Sequence, residues 1–303
     1  MSSTRHILVV SHTARPEAIE ATVRVVNVLH AAGIVPVMPV TDREEFAPHL
    51  PQDLTVELGT AISLDEIEIA LVLGGDGTIL RAAELLRGSG CPILGINLGH
   101  VGFLAETEPH DLGFTVDRVL AGAYQVEERI TLEVRATLEG QVIAESWAVN
   151  EASVEKLGRM LDVGIGVDGR PLSSFGCDGV VLATPTGSTA YSFSAGGPVV
   201  WPGVEALLMV PLAAHALFNR PLVVGPDSTL TVKMTDGEAV LWCDGRRRME
   251  LPAGTVVEAR RSELPVRLAR IDEAVFTDRL VNKFHLPVAG WRGVRPSTSE
   301  SHP

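Results

Sequence analysis

The sequence predicts two domains of different class. A doubly wound α/β domain with a parallel sheet covers residues 1–125, and an all-β domain covers residues 126–270. Three observations carry this. Over the first stretch, short apolar runs alternate with segments of helical apolar spacing, the pattern of strands joined by crossover helices. From Tyr124 to about Leu268, helical periodicity almost vanishes and apolar residues alternate with polar ones. In that second stretch Glu139-Gly140, Asp168-Gly169, Asp236-Gly237, Asp244-Gly245 and Ala253-Gly254 punctuate the chain as hairpin turns.

The elements follow in order. His6–His12 reads as the first strand. Pro16–Ala32 places Ile19, Val23, Val26 and Leu29 at helical spacing, and Gly33 ends that helix. Ile34–Val40 is a second strand. Thr41–Leu64, rich in acids and prolines, reads as a connection. Strand, glycine turn and helix occupy 67–88, Pro92–Asn97 is a short buried strand, and Pro109–Ala121 is helical. Thr131–Leu138, Thr229–Met234 and Val256–Arg261 alternate as strands of the second domain. Phe276, Leu280 and Phe284 recur at i, i+4, i+8, which predicts a short helix in a C-terminal segment, 271–292. The tail 293–303 lacks an apolar face and is expected to be disordered.

Composition narrows the chemistry. The chain has 303 residues, is 46% hydrophobic and carries a formal net charge of -13. That charge argues against nucleic-acid binding, which needs a basic face. It leaves room for a phosphorylated small molecule held by backbone N–H groups and a few arginines. No apolar run approaches the roughly 18 residues of a membrane span, and the N-terminus lacks a signal-peptide pattern, so a cytoplasmic protein is expected. Cys91, Cys177 and Cys243 lack zinc spacing and read as reduced core thiols.

Two segments carry the chemistry. Gly74-Gly75-Asp76-Gly77-Thr78 lies between a buried strand and a helix. Its glycines let the backbone approach a ligand, and the helix start offers unpaired N–H groups to phosphate. A carboxylate there, Asp76, is unfavourable unless it has a task, such as taking a proton from a hydroxyl or holding a metal. Asp178–Pro198 packs Thr184, Thr186, Ser188, Thr189, Tyr191 and Ser194 around glycines and a proline, donors and acceptors suited to ribose, phosphate and an adenine edge. Gly164-Ile-Gly-Val-Asp-Gly169 matches a dinucleotide fingerprint in letters only. Its Asp-Gly-Arg-Pro end between alternating segments reads as a hairpin. No Walker-type loop is present. Asn150-Glu151 after an apolar strand is a weak signal alone, and Arg246-Arg247-Arg248 reads as a solvated hairpin tip that could add charge near phosphate.

These segments, in this order and about a hundred residues apart, resemble the NAD kinase family over roughly Ile7 to Trp291. The Gly-Gly-Asp-Gly-Thr motif is shared with diacylglycerol, sphingosine and phosphofructokinases. Asp178–Pro198, Asn150-Glu151 and Asn97-Leu-Gly-His-Val-Gly-Phe-Leu104 are much more specific, and the details look actinobacterial. The resemblance implies an inter-domain nucleotide site, a C-terminal segment that returns to the first domain, and a homodimer or homotetramer. It implies transfer of a phosphoryl group from ATP or inorganic polyphosphate to the 2′-hydroxyl of the adenosine ribose of NAD, with Mg²⁺ on the donor phosphates and its protein ligands unknown.

By position, Asp76 is the implied base, and Gly74, Gly75, Gly77 and Thr78 face phosphate. Asn150 and Glu151 hold adenine and ribose, and Asp178 resembles a nicotinamide-side or adenine-contacting carboxylate. Thr189, Ala190, Tyr191 and Ser194 line the dinucleotide pocket. Arg81 and Arg159 fall where members carry a basic or polar group, and Arg246 is a further candidate. Gly176 departs from members with a basic residue there. Two alternatives stay open: a lipid kinase sharing the glycine motif, disfavoured by the net charge, and a non-catalytic dinucleotide sensor, for which Asp76 would have no use.

Overall fold

The computed structural model describes residues 4–98, 102–105, 112–271 and 276–288. Its first sheet has seven strands: β1 (His6–Ser11), β2 (Val35–Met38), β3 (Val56–Glu57), β4 (Ile67–Leu73), β5 (Ile93–Ile96), β6 (Gln125–Arg129) and β19 (Val266–Arg270). Their order is β3-β2-β1-β4-β5-β19-β6, parallel throughout except for β6. Near-continuous apolar strands such as Ile67–Leu73 are what a sheet covered on both faces requires. Helices α1 (Pro16–Ala31) and α4 (Leu112–Leu120) bury Val25, Leu29, Val116 and Val119 against one face, with Ile7, Val9, Leu71 and Leu94. Helix α3 (Asp76–Leu85) buries Ile79, Leu80, Ala82 and Ala83 against the other, with Leu8, Val10, Val72 and Ile93.

The second domain packs two six-stranded sheets on one core. One runs β11-β10-β15-β18-β7-β8, built from β7 (Leu132–Leu138), β8 (Gln141–Ala148), β10 (Leu161–Val167), β11 (Arg170–Cys177), β15 (Leu230–Asp236) and β18 (Val256–Arg261). The other runs β14-β13-β12-β9-β16-β17, from β9 (Glu151–Lys156), β12 (Gly179–Ala183), β13 (Leu207–Leu212), β14 (Leu222–Val224), β16 (Ala239–Cys243) and β17 (Arg247–Leu251). Their inner faces meet through Val134, Ala152, Val154, Val163, Leu182, Met209, Val232 and Leu241, all buried. The fingerprint-like string Gly164–Gly169 is the β10–β11 hairpin, with Asp168 and Gly169 both at positive φ, 51° and 72°.

Three expectations differ from the structure. Strands β6 and β19 belong to the first sheet, so residues 126–129 and 266–270 do not join the β domain by sheet membership. The β domain is therefore an insertion between two neighbouring strands, and β19 makes the return before the C-terminal helix begins. The connection 41–64 contains helix α2 (Val40–Phe46) and β3, with Phe46 buried in the first core. Helix α2 has only seven residues and no repeated apolar spacing, and tertiary contacts stabilise it. Helix α6 (Phe276–Phe284) forms where the spacing predicts it, but only Leu280 is buried. The predicted disordered tail 293–303 lies outside the described residues, as does Pro109–Asp111 of the helix predicted over Pro109–Ala121. Among the described residues no helix is long and apolar enough to cross a membrane. All three cysteines are free and buried, and burial pushes the Cys91 thiol up to about 12 and those of Cys177 and Cys243 to about 11.

Candidate active site

Strand order reverses between β1 and β4, because the chain winds outward from β1 through β2 in one direction and from β4 through β5 in the other. A crevice at such a switch point opens beyond the carboxyl ends of the strands. A cavity of about 460 Å³ occupies that place, lined by Ser11, His12, Thr13 and Arg15 after β1, and by Gly75, Gly77, Thr78 and Arg81 at the start of α3, with Arg246 from the other domain.

Local sequence explains the glycine turn. The Gly74 N–H donates to the Ile96 carbonyl, and a Cβ on Gly74 would run into the Thr78 side chain. Gly75 is the N-cap at φ −86°, an ordinary conformation, and a Cβ there would meet nothing within 4 Å. The backbone therefore does not itself require a glycine at this position. Asp76 opens α3. Its Oδ2 accepts from the Phe103 N–H at 3.0 Å and its Oδ1 from the Leu104 N–H at 3.1 Å. Gly102 sits so close to that carboxylate that a Cβ would collide with it.

Arg81 is the deepest cation at the pocket. Its two terminal nitrogens bind the buried Asp42 at 2.6 and 2.7 Å, and one also donates to the Ser11 carbonyl at 2.7 Å. Asp42 accepts the Ser11 N–H as well, so α2, β1 and α3 are tied together at the pocket wall. Sequence reading did not find Asp42. Its signal is spatial, a carboxylate placed by a helix that periodicity misses.

The second half of the site is the turn between β8 and β9. Asp244, at the β16–β17 hairpin, is buried and accepts N–H bonds from Val149, Asn150 and Glu151 at 2.9, 2.7 and 3.4 Å. Burial pushes its pKa up, and the three N–H donors and Arg247, at 2.9 Å, oppose that shift. Asp244 thus fixes the Asn150-Glu151 backbone, a role its reading as a turn residue does not contain. From the other side Thr184 donates its N–H to the Asn150 carbonyl and its hydroxyl to the Val149 carbonyl, at 2.9 and 2.6 Å. Gly187 lies against the Asn150 carbonyl with no space for a Cβ.

Glu151 is 8% exposed, and its Oε2 has no hydrogen-bond partner. Burial, then the charge of Asp244, pushes its pKa up to about 8, while the Tyr191 N–H pulls the other way. At neutral pH it therefore carries a proton and offers both a donor and an acceptor.

The two halves meet through α3. Glu84 binds Arg247 at 2.7 Å and Arg246 at 3.1 Å, and Arg247 also donates to the Trp147 carbonyl at 2.7 Å. Arg87 lies over the Trp147 ring at 4.0 Å and donates to the Leu264 carbonyl and the Ser262 hydroxyl. The expected solvated tip Arg246–Arg248 is thus partly an inter-domain latch. Arg246 reaches the glycine-turn pocket, and Arg247 anchors the hairpin that carries it.

The remaining candidates spread along the second sheet. Thr189 closes a 3-10 turn (Thr186–Thr189), its hydroxyl donating to the Thr186 carbonyl, and Tyr191–Ser194 form the short helix α5 with Ala190 as its N-cap. Asp178 lies just beyond the opposite end of β12 from Ala183, which pairs with Glu151, so the two residues are separated by about 17 Å along the strand. Asp178 binds Lys156 at 2.6 Å. Burial first, and then the charges of Glu155, Glu151 and Asp178, raise the Tyr191 pKa. Arg159 follows the far end of β9, is 78% exposed and lies 3.4 Å from Asp236. The structure does not bring it to the pocket, because the strand that leaves Asn150-Glu151 carries the chain away from Asp76. Within Asn97–Leu104, Gly99 to Val101 lie outside the described residues. A larger cavity of about 600 Å³ near Glu205 and Arg260 contains none of the motif residues, and its arginines pair with Glu133 and Glu205.

The comparisons with known proteins agree with this two-domain fold. A family model described as the ATP-NAD kinase N-terminal domain matches residues 7–124, and one described as the ATP-NAD kinase C-terminal domain matches residues 150–271. The chain is 60% identical to an NAD kinase from Leifsonia xyli, covering 97% of this chain and 98% of that one. It is 56% identical to an NAD kinase 2 from Streptomyces coelicolor, covering 95% and 97%. Among solved structures, yeast NADH kinase complexed with NADH superposes with a TM-score of 0.83 at 24% identity, over 97% of this chain and 90% of that one, a likeness of fold. An NAD kinase from Archaeoglobus fulgidus in complex with ATP gives 0.68 at 25% identity, over 93% and 99%. With both halves of the chain matched in order and near-complete relatives at this identity, the chain belongs to the NAD kinase family.

Proposed function

We propose that the protein phosphorylates NAD at the 2′-hydroxyl of its adenosine ribose, with ATP or inorganic polyphosphate as donor. One observation carries the assignment of roles. Asp76 is a carboxylate at the first turn of α3, fixed by two backbone N–H groups, beside a pocket otherwise lined by N–H donors, hydroxyls and arginines. Phosphoryl transfer needs positioning and charge neutralisation more than covalent chemistry. The start of α3, Gly75 to Gly77, supplies N–H groups to donor phosphates with the Thr78 hydroxyl beside them, and Arg81 and Arg246 supply charge. Asp76 takes the proton of the attacking hydroxyl, a contribution of about 10²–10⁴ in rate. Asn150 and a protonated Glu151 hold adenine and ribose, and Tyr191 and Ser194 cover the dinucleotide.

Mg²⁺ would arrive with the donor. Among the described residues no three acidic, histidine or cysteine side chains converge, so an all-protein cage does not fit. Mg²⁺ commonly binds through substrate phosphates with one or two carboxylates. A cytoplasmic homodimer or homotetramer remains part of the proposal, resting on resemblance.

A coupled assay for NADP with NAD, Mg²⁺ and either donor tests the reaction, and diacylglycerol, sphingosine and fructose 6-phosphate serve as rival acceptors. Asp76→Asn is expected to bind NAD normally and to lose about 10²-fold or more in kcat. Turnover close to the parent would remove Asp76 from the role of base, and label entering lipid or sugar instead of NAD would overturn the function.

A further inference from the structure

The peptide group that holds one oxygen of Asp76 is itself held from the C-terminus. The Leu104 N–H donates to Asp76 Oδ1 at 3.1 Å. The carbonyl at the other end of that same peptide, of Phe103, accepts from Arg279 Nη1 at 2.8 Å. The next carbonyl, of Leu104, accepts from Arg270 Nη1 at 3.2 Å. The Phe103 ring lies between two rings of α6, Phe276 at 6.0 Å and Phe284 at 5.8 Å between centroids. These rings reach the second domain too, Phe276 against Trp201 at 5.0 Å and Phe284 against Phe193 at 4.5 Å.

We propose that α6 aims the reactive carboxylate, with Arg279 a positioning residue that acts on Asp76 through the Phe103–Leu104 peptide. This rests on the reading of Asp76 as base. A cation on the carbonyl polarises the peptide and strengthens its N–H as a donor. It also pins the segment. Gly102 packs on the carboxylate without space for a Cβ, Phe103 and Leu104 give it one N–H each, and Arg279, Arg270 and the two α6 rings hold the segment from behind. Among the described residues, the Phe103 and Leu104 N–H groups are the hydrogen-bond partners that fix the carboxylate's rotamer, so its direction depends on where residues 102–105 sit. A displacement of about 1 Å at a reacting group can cost up to 10²-fold in rate. Because α6 also contacts Phe193 and Trp201, its seat depends on the placement of the second domain. The base is thereby aimed only when both domains are in register.

The test is a double-mutant cycle. The parent, Arg279→Met, Asp76→Asn and the double variant are assayed for kcat with enzyme in excess, for KM for NAD, and for Tm. Arg279→Met is expected to lower kcat by on the order of tenfold with KM for NAD nearly unchanged. Arg279→Lys, which retains a charged donor, is expected to recover most of that loss. The double variant is expected to be no slower than Asp76→Asn alone, because there is then no base left to misalign. A double variant slower than Asp76→Asn by the full Arg279→Met factor, or an Arg279→Met enzyme with parental kcat, would overturn the proposal while leaving the base in place. Parental turnover in Asp76→Asn would overturn the base itself and this proposal with it. If Arg279→Met does not fold, Arg279→Gln against Arg279→Lys completes the cycle.

Discussion

At the residue scale, Glu151 makes the clearest statement about pH. In the unfolded chain its carboxyl ionises near pH 4.5, and in the folded protein burial and Asp244 keep the proton to about pH 8. The folded state binds more protons between these values, so this group's contribution to stability falls as pH rises through that window. Glu151→Gln has no such ionisation. The variant is expected to gain stability on the parent from pH 5 to pH 8, by a few kcal/mol at most, given roughly 1.4 kcal/mol per pKa unit. Chemical denaturation at both pH values measures it. A difference that does not change with pH would mean that Glu151 is charged in the fold. Glycines make a second contrast. Gly75→Val faces open pocket at an ordinary φ, so unchanged Tm with lost substrate affinity is expected. Gly187→Ala drives a methyl into the Asn150 carbonyl, so loss of Tm by several degrees is expected as well. Thermal melts and NAD titrations separate the two.

Among the elements, the β16–β17 hairpin is more than a turn. Its Asp244 takes three N–H groups of the β8–β9 turn, and its Arg247 binds Asp244 and Glu84 of α3. Asp244→Ala leaves three buried donors without an acceptor and the Arg247 guanidinium without one of its two carboxylates. A destabilisation of about 3–5 kcal/mol is expected from breaking a buried charged network, with a rise in KM for NAD as Asn150 and Glu151 lose their frame. Urea unfolding and steady-state kinetics check both, and a loss below about 1 kcal/mol would mean that the turn is held mainly by Thr184 and Gly187.

For the whole molecule, topology decides what can fold alone. Strand β19 sits between β5 and β6, so a fragment of residues 4–125 lacks two strands and leaves Ile93 and Leu94 on an open edge. That fragment is expected to aggregate. The piece 130–264 contains every strand of both antiparallel sheets and their shared core, and is expected to fold. Circular dichroism and amide-proton dispersion of the two fragments test this, and a well-folded 4–125 would show that β19 is dispensable to the first sheet.

The sequence by itself determined the class of each domain, because apolar periodicity is local and survives without knowledge of partners. It located the glycine turn, the hairpin turns with positive φ at Asp168 and Asp244, and the C-terminal helix. It also gathered Asp76, Thr78, Arg81 and Arg246 as candidates that the fold places around one pocket or at its edge. It set the domain boundary beside a strand that crosses back, missed α2, and grouped Arg159 with residues that the fold of this chain places away from it. Those decisions depend on pairings across long sequence separations, such as Arg270 with Gln125 in the first sheet or Asp42 with Arg81. Asp244, Glu84 and Arg279 are ordinary charged residues in the sequence. Only burial and the direction of a neighbouring peptide make them part of the site, and a one-dimensional pattern contains neither.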